Sequence, residues 1–216
     1  LFFLEHKGGI ALLTIIAALT MLIDHIGAIL FPQVMWLRMI GRLSFPLFAY
    51  GIARGVTYTS NFWKYFARIV VTAFISQPIY ILAFGPYHGL NPLVTLAWGA
   101  LVLWLWRKKG KQFQALAAIL LFSSYWVDMS YSWYGIWTIF FYGFYQERKQ
   151  LALVGQVVLQ FLYAYVYPGG WIQGLSIFSF GLIELDRRIR LPRYFFYVFY
   201  PAHLLVLWSI RRWILV

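Results

Sequence analysis

The sequence predicts an all-α, polytopic integral membrane protein: one helical bundle with about nine transmembrane helices and a cytoplasmic N-terminus. Of its 216 residues, 62% are hydrophobic and only 11% are charged, whereas a soluble domain carries about 25% charged residues. A globule of this length cannot hide so much apolar surface, because much of its surface must face water. The chain also has no cysteine, which excludes a disulfide framework and thiolate metal sites.

The individual helices are predicted from apolar stretches bounded by charged or turn residues. A bilayer core of about 30 Å requires about 20 helical residues, and only a regular backbone satisfies its own hydrogen bonds in lipid. Spans shorter than this are expected to use interfacial aromatic residues or a thinned bilayer. No domain boundary is evident, so residues 1–216 are predicted to form a single transmembrane domain. The nine predicted spans are 10–31, 34–57, 62–84, 90–106, 113–128, 131–146, 151–167, 171–185 and 194–210.

The excess of basic residues predicts the orientation of the bundle. Eighteen Lys and Arg against six Asp and Glu give a net charge of +12. Because Lys and Arg are enriched in cytoplasmic loops, this charge indicates membrane topology and no nucleic-acid partner. Arg38, Arg42, Arg211 and Arg212 are exceptions that fall toward the outer side. The basic residues predicted to be cytoplasmic are Lys7, Lys64, Arg68, Arg107, Lys108, Lys109, Lys111, Arg148, Lys149, Arg187, Arg188, Arg190 and Arg193.

Ionisable residues inside the predicted spans mark a candidate site, because each costs a few kcal/mol or more at membrane depth. Asp24 and His25 lie in the outer half of the first span, and as helical neighbours they point about 100° apart. A stripe of small and polar residues, Ala17, Thr20, Asp24 and Gly27, is expected to face other helices. A buried Asp tied to an Arg, with a hydrogen-bonded His, would explain this pair structurally. Companions in the same predicted outer layer favour a polar cavity instead: Arg38, Arg42, His88, Asn91, Thr95, Asp128, Tyr134, Tyr200 and His203.

These residue types suit proton transfer. A buried imidazole is a general base when a carboxylate orients it, and an arginine compensates a buried carboxylate or binds an anion. The chain contains no H-E-x-x-H motif and no His cluster at ligand spacing, so no metal site is predicted. Buried Asp, His and Arg also serve as relays in proton-coupled transporters and channels. That alternative stays open, although no internal repeat and no paired broken helices are evident.

Five segments resemble blocks of the TraX family. They are Leu19–Ala28 with its Ile-Asp-His-Ile-Gly core, Ile40–Ala49, Leu90–Leu96, Asp128 with the later Tyr134-Gly135, and Tyr197–Leu205 with its Tyr-Pro-Ala-His-Leu run. The spacing after Asp128 is stretched relative to the family. The named member of that family acetylates the N-terminus of the F-pilin subunit, and the family is similar to a wider group of membrane acyltransferases. The resemblance therefore implies a multi-pass protein of the bacterial cytoplasmic (inner) membrane that transfers an acetyl group from acetyl-CoA.

The resemblance also implies roles for the matching residues. His25 is expected to take the acceptor's proton or to carry the acetyl group briefly, the direct route being slightly preferred, while Asp24 orients a partner or pairs with Arg42. The acceptor is an amine or hydroxyl of a peptide, such as a pilin N-terminus, or of a glycan or lipid-linked molecule. The predicted substrate-binding residues are Arg38, Arg42, Asn91, Asp128, Tyr134, Tyr200 and His203. The predicted residues for the acetyl-CoA phosphates are Lys64, Arg68, Arg107 and Lys108.

Overall fold

The computed structural model describes residues 10–185, 188–189 and 194–214. Within these ranges helices joined by short turns and loops predominate, and the one pair of strands is antiparallel and two residues long: β1 (Ile10–Ala11) and β2 (Arg188–Ile189), in which Ile10 pairs with Ile189. The all-α class is therefore confirmed. The helices are α1 (Leu12–Ile29), α2 (Met35–Gly41), α3 (Ser44–Tyr58), α4 (Phe62–Phe84), α5 (Pro92–Arg107), α6 (Lys111–Ser123), α7 (Ser132–Gly143), α8 (Lys149–Val166), α9 (Ser179–Glu184) and α10 (Phe195–Ile214). Short 3₁₀ segments cover Pro86–His88, Ser124–Trp126 and Gly170–Phe178.

Two of the described helices are long and apolar enough to cross a bilayer by length and composition. These are α1, with a mean hydropathy of 2.0, and α4, with a mean hydropathy of 1.6. Large apolar side chains also point outward from several helices, for example Phe74, Ile119 and Phe161. Contiguous exposed apolar surface of this kind is typical of membrane contact. The structure is consistent with a membrane protein, and the nine crossings stay a prediction.

The second predicted span, 34–57, is not one helix, contrary to the sequence-based prediction. It divides into α2 and α3, with tight turns in which Arg42 and Leu43 donate their backbone N–H groups to Met39 and Ile40. Pro46 explains the break, because proline has no N–H and its ring clashes with the carbonyl four residues earlier. That carbonyl belongs to Arg42. The proline therefore ends α2 at the arginine and is accepted in the first turn of α3.

The eighth predicted span, 171–185, is also not a regular α-helix. Residues Gly170–Phe178 form a 3₁₀ helix that leads into α9, and Gly170 and Gly174 lower the α-helical propensity of this stretch. A 3₁₀ helix has three residues per turn, so positions three apart share a face. The buried residues of this face follow that period: Gly170, Gln173, Ser176 and Ser179.

Close helix contacts bring the polar residues of the first two predicted spans together. Helix α1 packs against α2, α3 and α10, while α7 packs against α3, α5 and α8. The small and polar stripe of α1 makes these contacts as predicted: Ser44 donates to the Ala17 carbonyl oxygen, and a Cβ on Gly27 would lie 2.7 Å from the Cβ of Leu37. The stripe therefore allows the backbones of α1 and α2 to approach closely.

The loops before α5 and α7 are hydrogen-bonded to each other. Leu90 and Met129 form a parallel bridge, in which Leu90 donates to the Asp128 carbonyl at 3.1 Å and receives from the Ser130 N–H at 2.8 Å. Four of the basic residues used to predict topology, Lys7, Arg187, Arg190 and Arg193, lie outside the described residues, and Arg188 is described only by its place in β2.

Candidate functional site

Asp24 lies between two arginines of the second predicted span. Arg38 Nη1 is 2.6 Å from Asp24 Oδ2, and Arg42 Nη2 is 3.1 Å from Asp24 Oδ1. Arg38 Nη1 also donates to the Asp24 carbonyl oxygen at 3.0 Å, and Arg42 Nε donates to the Arg38 carbonyl oxygen at 3.1 Å. The predicted pairing of Asp24 with Arg42 is confirmed, and Arg38 joins it. We call these three residues the ion triad.

Gly41 makes room for the ion triad. A Cβ at this position would overlap the Cβ, Cγ and Oδ1 atoms of Asp24. The carboxylate therefore sits where any larger residue in α2 would place its side chain, and glycine is required by close approach.

Replacing Gly41 with alanine is expected to destabilise the protein by about 1–3 kcal/mol, because an overpacked core must move atoms that have no space to move into. The matched control is Gly181→Ala in α9, since a Cβ there meets nothing within 4 Å. Thermal unfolding in detergent should show a clear loss for Gly41→Ala and no loss for Gly181→Ala. Equal unfolding temperatures for the two variants would show that Gly41 has no such steric role.

His25 points to the other side of α1 and forms a chain of hydrogen bonds with α10. His25 Nδ1 lies 2.7 Å from His203 Nε2, and His203 Nδ1 lies 2.8 Å from the Phe199 carbonyl oxygen. The two rings are coplanar within 2°, with centroids 5.0 Å apart, as an in-plane hydrogen bond requires.

The Phe199 carbonyl oxygen fixes the direction of both hydrogen bonds. The Phe199 carbonyl only accepts, so in the neutral pair the proton of His203 is on Nδ1, and its Nε2 accepts from His25 Nδ1–H. His25 Nε2 is then left with an unprotonated lone pair. This is the state that a general base or a nucleophile needs.

A small cavity of about 30 Å³ adjoins His25 and Asp24. That volume holds about one water-sized group. Tyr200 lines it and is 1% exposed, and its hydroxyl has no hydrogen-bond partner among the described residues. Tyr131 lines the same cavity and stacks on Phe45, with ring centroids 3.8 Å apart. The φ of Tyr131 is 65°, in the left-handed region that costs a bulky residue strain and is found at functional sites.

A buried polar network contacts the ion triad through the second Nη group of Arg42. Arg42 Nη1 donates to Gln173 Oε1 at 3.2 Å, and Gln173 and Gln160 both donate to the Tyr134 hydroxyl, at 3.4 and 2.7 Å. Gln160 also donates to Ser176. The Tyr134 hydroxyl thus accepts hydrogen bonds from two glutamines. Through Gln173 it helps to position Arg42.

An open cleft of about 500 Å³ lies on the solvent side of the ion triad. Arg38 and Arg42 form part of its wall, and the side chain of Arg38 is 32% exposed. The opposite wall is formed by the end of α8 and the turn that follows it, with Tyr163, Tyr167 and Gln173. The size is that of a small-molecule or peptide-residue site.

Two of the predicted substrate-binding residues lie apart from this arrangement. Asn91 is fully buried and caps α5 by accepting from Leu93 N–H, while its Nδ2 donates to the Ala73 carbonyl and to Gln77. Both of its side-chain donors are therefore used by the protein. Asp128 is exposed in a neighbouring groove of about 420 Å³. Its carboxylate lies over Gly89, whose φ of 63° and lack of a Cβ allow this approach.

The four basic residues predicted to bind acetyl-CoA lie at the opposite end of the bundle. Phe84 at the end of α4 contacts His25, with ring centroids 5.2 Å apart, and Lys64 lies twenty residues earlier, about 30 Å along the helix. Arg68 Nε donates to the Lys64 carbonyl. Arg107 pairs with Glu147 at 2.9 Å, and Lys108 Nζ lies 4.0 Å from the centre of the Trp104 ring.

Sequence reasoning missed three residues of this region: Tyr131, Gln173 and Ser176. The positive φ of Tyr131 has no sequence signature, since glycine or asparagine is expected there. Gln173 and Ser176 share a buried face only with the 3₁₀ period of three, which the composition of the span 171–185 does not indicate. The Gly-Gly pair at Gly169 and Gly170 was the available signal for irregular structure.

Comparison with known proteins places this arrangement in a family. The sequence profile described as "TraX protein" matches residues 10–211, nearly the whole chain. The chain belongs to the TraX family. The match includes every residue of the ion triad and the histidine pair, so the site lies within the part that defines a TraX protein.

Relatives of this TraX protein are distant in sequence. The chain is 26% identical to the probable fimbrial assembly protein FimC, serogroup H1, of Dichelobacter nodosus, over 94% of this chain and 95% of that protein. It is 27% identical to an uncharacterized protein of Rickettsia prowazekii (strain Madrid E), over 61% of this chain and 49% of that protein. No solved structure matches the chain.

Proposed function

We propose that this TraX protein is a membrane acetyltransferase that moves an acetyl group from cytoplasmic acetyl-CoA to an acceptor amine or hydroxyl, in a multi-pass fold of the bacterial inner membrane. The observation that carries the proposal is the chain from Phe199 through His203 to His25. This chain of hydrogen bonds keeps the His25 proton on Nδ1 and leaves His25 Nε2 free to accept a proton. The name of the Dichelobacter relative, a probable fimbrial assembly protein, favours a peptide acceptor.

The direct route needs one proton acceptor and one hydrogen-bond donor. The neutral amine attacks the thioester carbonyl, and His25 Nε2 takes the amine proton as the N–C bond forms. The C–S bond then breaks, and the CoA thiolate leaves with the proton that His25 returns. Negative charge develops on the carbonyl oxygen during attack, and the donor we assign to it is the hydroxyl of Tyr200, a residue that lines the adjoining cavity.

The Tyr200→Phe variant is expected to lower the acetyl transfer rate by about 100-fold, because one donor to the developing oxyanion is lost. Folding should be nearly unaffected, since that hydroxyl makes no hydrogen bond within the described chain. The matched control is Tyr87→Phe, because Tyr87 is 95% exposed. Turnover of Tyr200→Phe equal to that of Tyr87→Phe would exclude Tyr200 as the oxyanion donor.

The donor is proposed to bind from the opposite end of the bundle. Lys64, Arg68, Arg107 and Lys108 supply positive charge there for the phosphates of acetyl-CoA. The pantetheine arm would then enter the bundle and carry the thioester toward His25. This arrangement keeps the donor and the acceptor on opposite faces of the membrane.

Purified protein in detergent tests the function. Acetyl-CoA should raise the unfolding temperature as its concentration exceeds the dissociation constant, and ADP, which shares the nucleotide part, should raise it less. With a peptide acceptor, mass spectrometry should detect the gain of one acetyl group. Absence of both stabilisation and product at millimolar acetyl-CoA would overturn the proposal and favour the proton-coupled transporter or channel.

A further inference from the structure

The cleft beside the ion triad carries an uncompensated positive charge. Among the described residues Asp24 is the single acid bonded to Arg38 and Arg42, so the three residues together have a net charge of +1. Arg38 gives only its Nη1 group to Asp24, and its Nε and Nη2 groups have no hydrogen bond to the described residues. With a partly exposed side chain in the cleft wall, Arg38 has the donors and the position to bind a carboxylate or phosphate.

A negative charge lies in the groove next to this cleft. Asp128 is exposed there, and Tyr163 and Tyr167 line both the cleft and the groove. Tyr131 lines the groove and also the cavity beside His25. Together the two openings form a surface with a cation-binding end at Asp128, an anion-binding end at Arg38 and aromatic side chains between them.

We propose that this surface binds a peptide acceptor that carries an acidic side chain close to its terminal amine. The carboxylate binds Arg38, and Asp128 attracts the ammonium group toward Tyr131 and the His25 cavity. The opposite charges of the two ends favour such a zwitterionic peptide over an anionic lipid such as phosphatidylglycerol, which Asp128 would repel. The acetylation of this peptide rests on the proposed function, whereas its binding does not.

Binding is measured first, in detergent and without acetyl-CoA. The probes are two tetrapeptide amides with free N-termini, Ala-Glu-Ala-Ala and Ala-Gln-Ala-Ala, and the readout is the dissociation constant from titration calorimetry. The Glu peptide is expected to bind about tenfold more tightly, since hydrogen bonds to charged groups are stronger than neutral ones. Equal affinities in the wild-type protein would overturn the proposal.

Variants locate the binding groups. Arg38→Gln should abolish the preference for the Glu peptide, whereas Arg211→Gln, at an exposed arginine near the end of α10, should keep it. Asp128→Asn should weaken both peptides by a similar factor and leave their ratio unchanged. A preference that persists in Arg38→Gln, or unchanged binding in Asp128→Asn, would contradict the assignment.

Two further arms keep the test decisive. If Arg38→Gln does not fold, Tyr167→Glu places a negative charge in the cleft wall without touching the ion triad, and it should also remove the preference.

Nanodiscs with and without phosphatidylglycerol test whether an anionic lipid is the ligand. Stabilisation by this lipid without peptide binding would overturn the peptide assignment. Selective binding of the Glu peptide, with neither acetylation nor stabilisation by acetyl-CoA, would support the binding site and reject the acetyltransferase.

Discussion

Replacing His25 with alanine is expected to lower acetyl transfer by about 10²–10⁴-fold, which is the usual contribution of a positioned general base. The reason is that His25 Nε2 is the nitrogen left unprotonated by the hydrogen-bond chain through His203 to the Phe199 carbonyl. Initial rates with acetyl-CoA and a peptide acceptor measure the effect. The matched control is His88→Ala, because His88 is an exposed histidine in the 3₁₀ segment before α5.

Variants of His203 separate positioning from simple packing. His203→Phe removes the acceptor for His25 Nδ1–H, so the His25 proton is no longer fixed on Nδ1 and the rate should fall. His203→Gln offers an amide oxygen as acceptor and should recover part of that loss, although both substitutions change the packing of α10. If His25→Ala turns over as fast as His88→Ala, or if Gln and Phe at position 203 behave alike, the proposed roles of the two histidines are wrong.

The Asp24→Ala variant is expected to have the largest effect on stability, a loss of about 3–5 kcal/mol. Removing one partner of a buried ion pair leaves an uncompensated charge, and that cost exceeds the net value of the intact pair. Here two guanidinium groups lose their shared counter-ion at once. Thermal unfolding in detergent, followed by tryptophan fluorescence, measures the change.

Two further variants show whether charge is the cause. Glu147→Gln breaks the ion pair with Arg107, in which Glu147 is 54% exposed, and exposed pairs are worth about 1 kcal/mol or less. Adding Arg42→Met to Asp24→Ala removes a second buried charge and should restore part of the stability, since apolar replacement of buried ion pairs is often neutral. An Asp24→Ala protein as stable as Glu147→Gln would show that the triad is not held by its buried charges.

Helix positions were predictable where one local pattern dominates. The span 62–84 coincides with α4, because turn residues on both sides bound a stretch that is apolar over most of its length. Pro46 removes the hydrogen bond to the Arg42 carbonyl in the span 34–57, but Pro78 and Pro201 lie inside α4 and α10, so a proline alone does not locate a break. The 3₁₀ stretch Gly170–Phe178 was harder to predict, because composition alone does not distinguish a period of three from one of 3.6 over nine residues.

The sequence indicates how deep a side chain lies in the membrane, but it does not indicate which neighbouring helix that side chain faces. Membrane depth selected Asp24, His25, Arg38, Arg42 and His203 from the sequence, since ionisable groups in apolar spans are costly and few. The same criterion also selected Asn91 and Asp128, which the structure places at a helix cap and in a neighbouring groove. Depth gives one coordinate of a side chain, and it does not give the helix face or the neighbouring element.

By itself the sequence determined the class of the protein, its family and the small set of buried charges, because composition, hydropathy and ordered sequence blocks are local properties of the chain. The pairing of Asp24 with Arg42 was expected from the sequence, whereas only the tertiary structure showed that Arg38 joins it and that His25 meets His203. His25 and His203 are 178 residues apart and share a hydrogen bond, while Asp24, the residue before His25, faces the two arginines. Neighbours on a helix point about 100° apart, so only the packing of α2 and α10 on α1 assigns a partner to each.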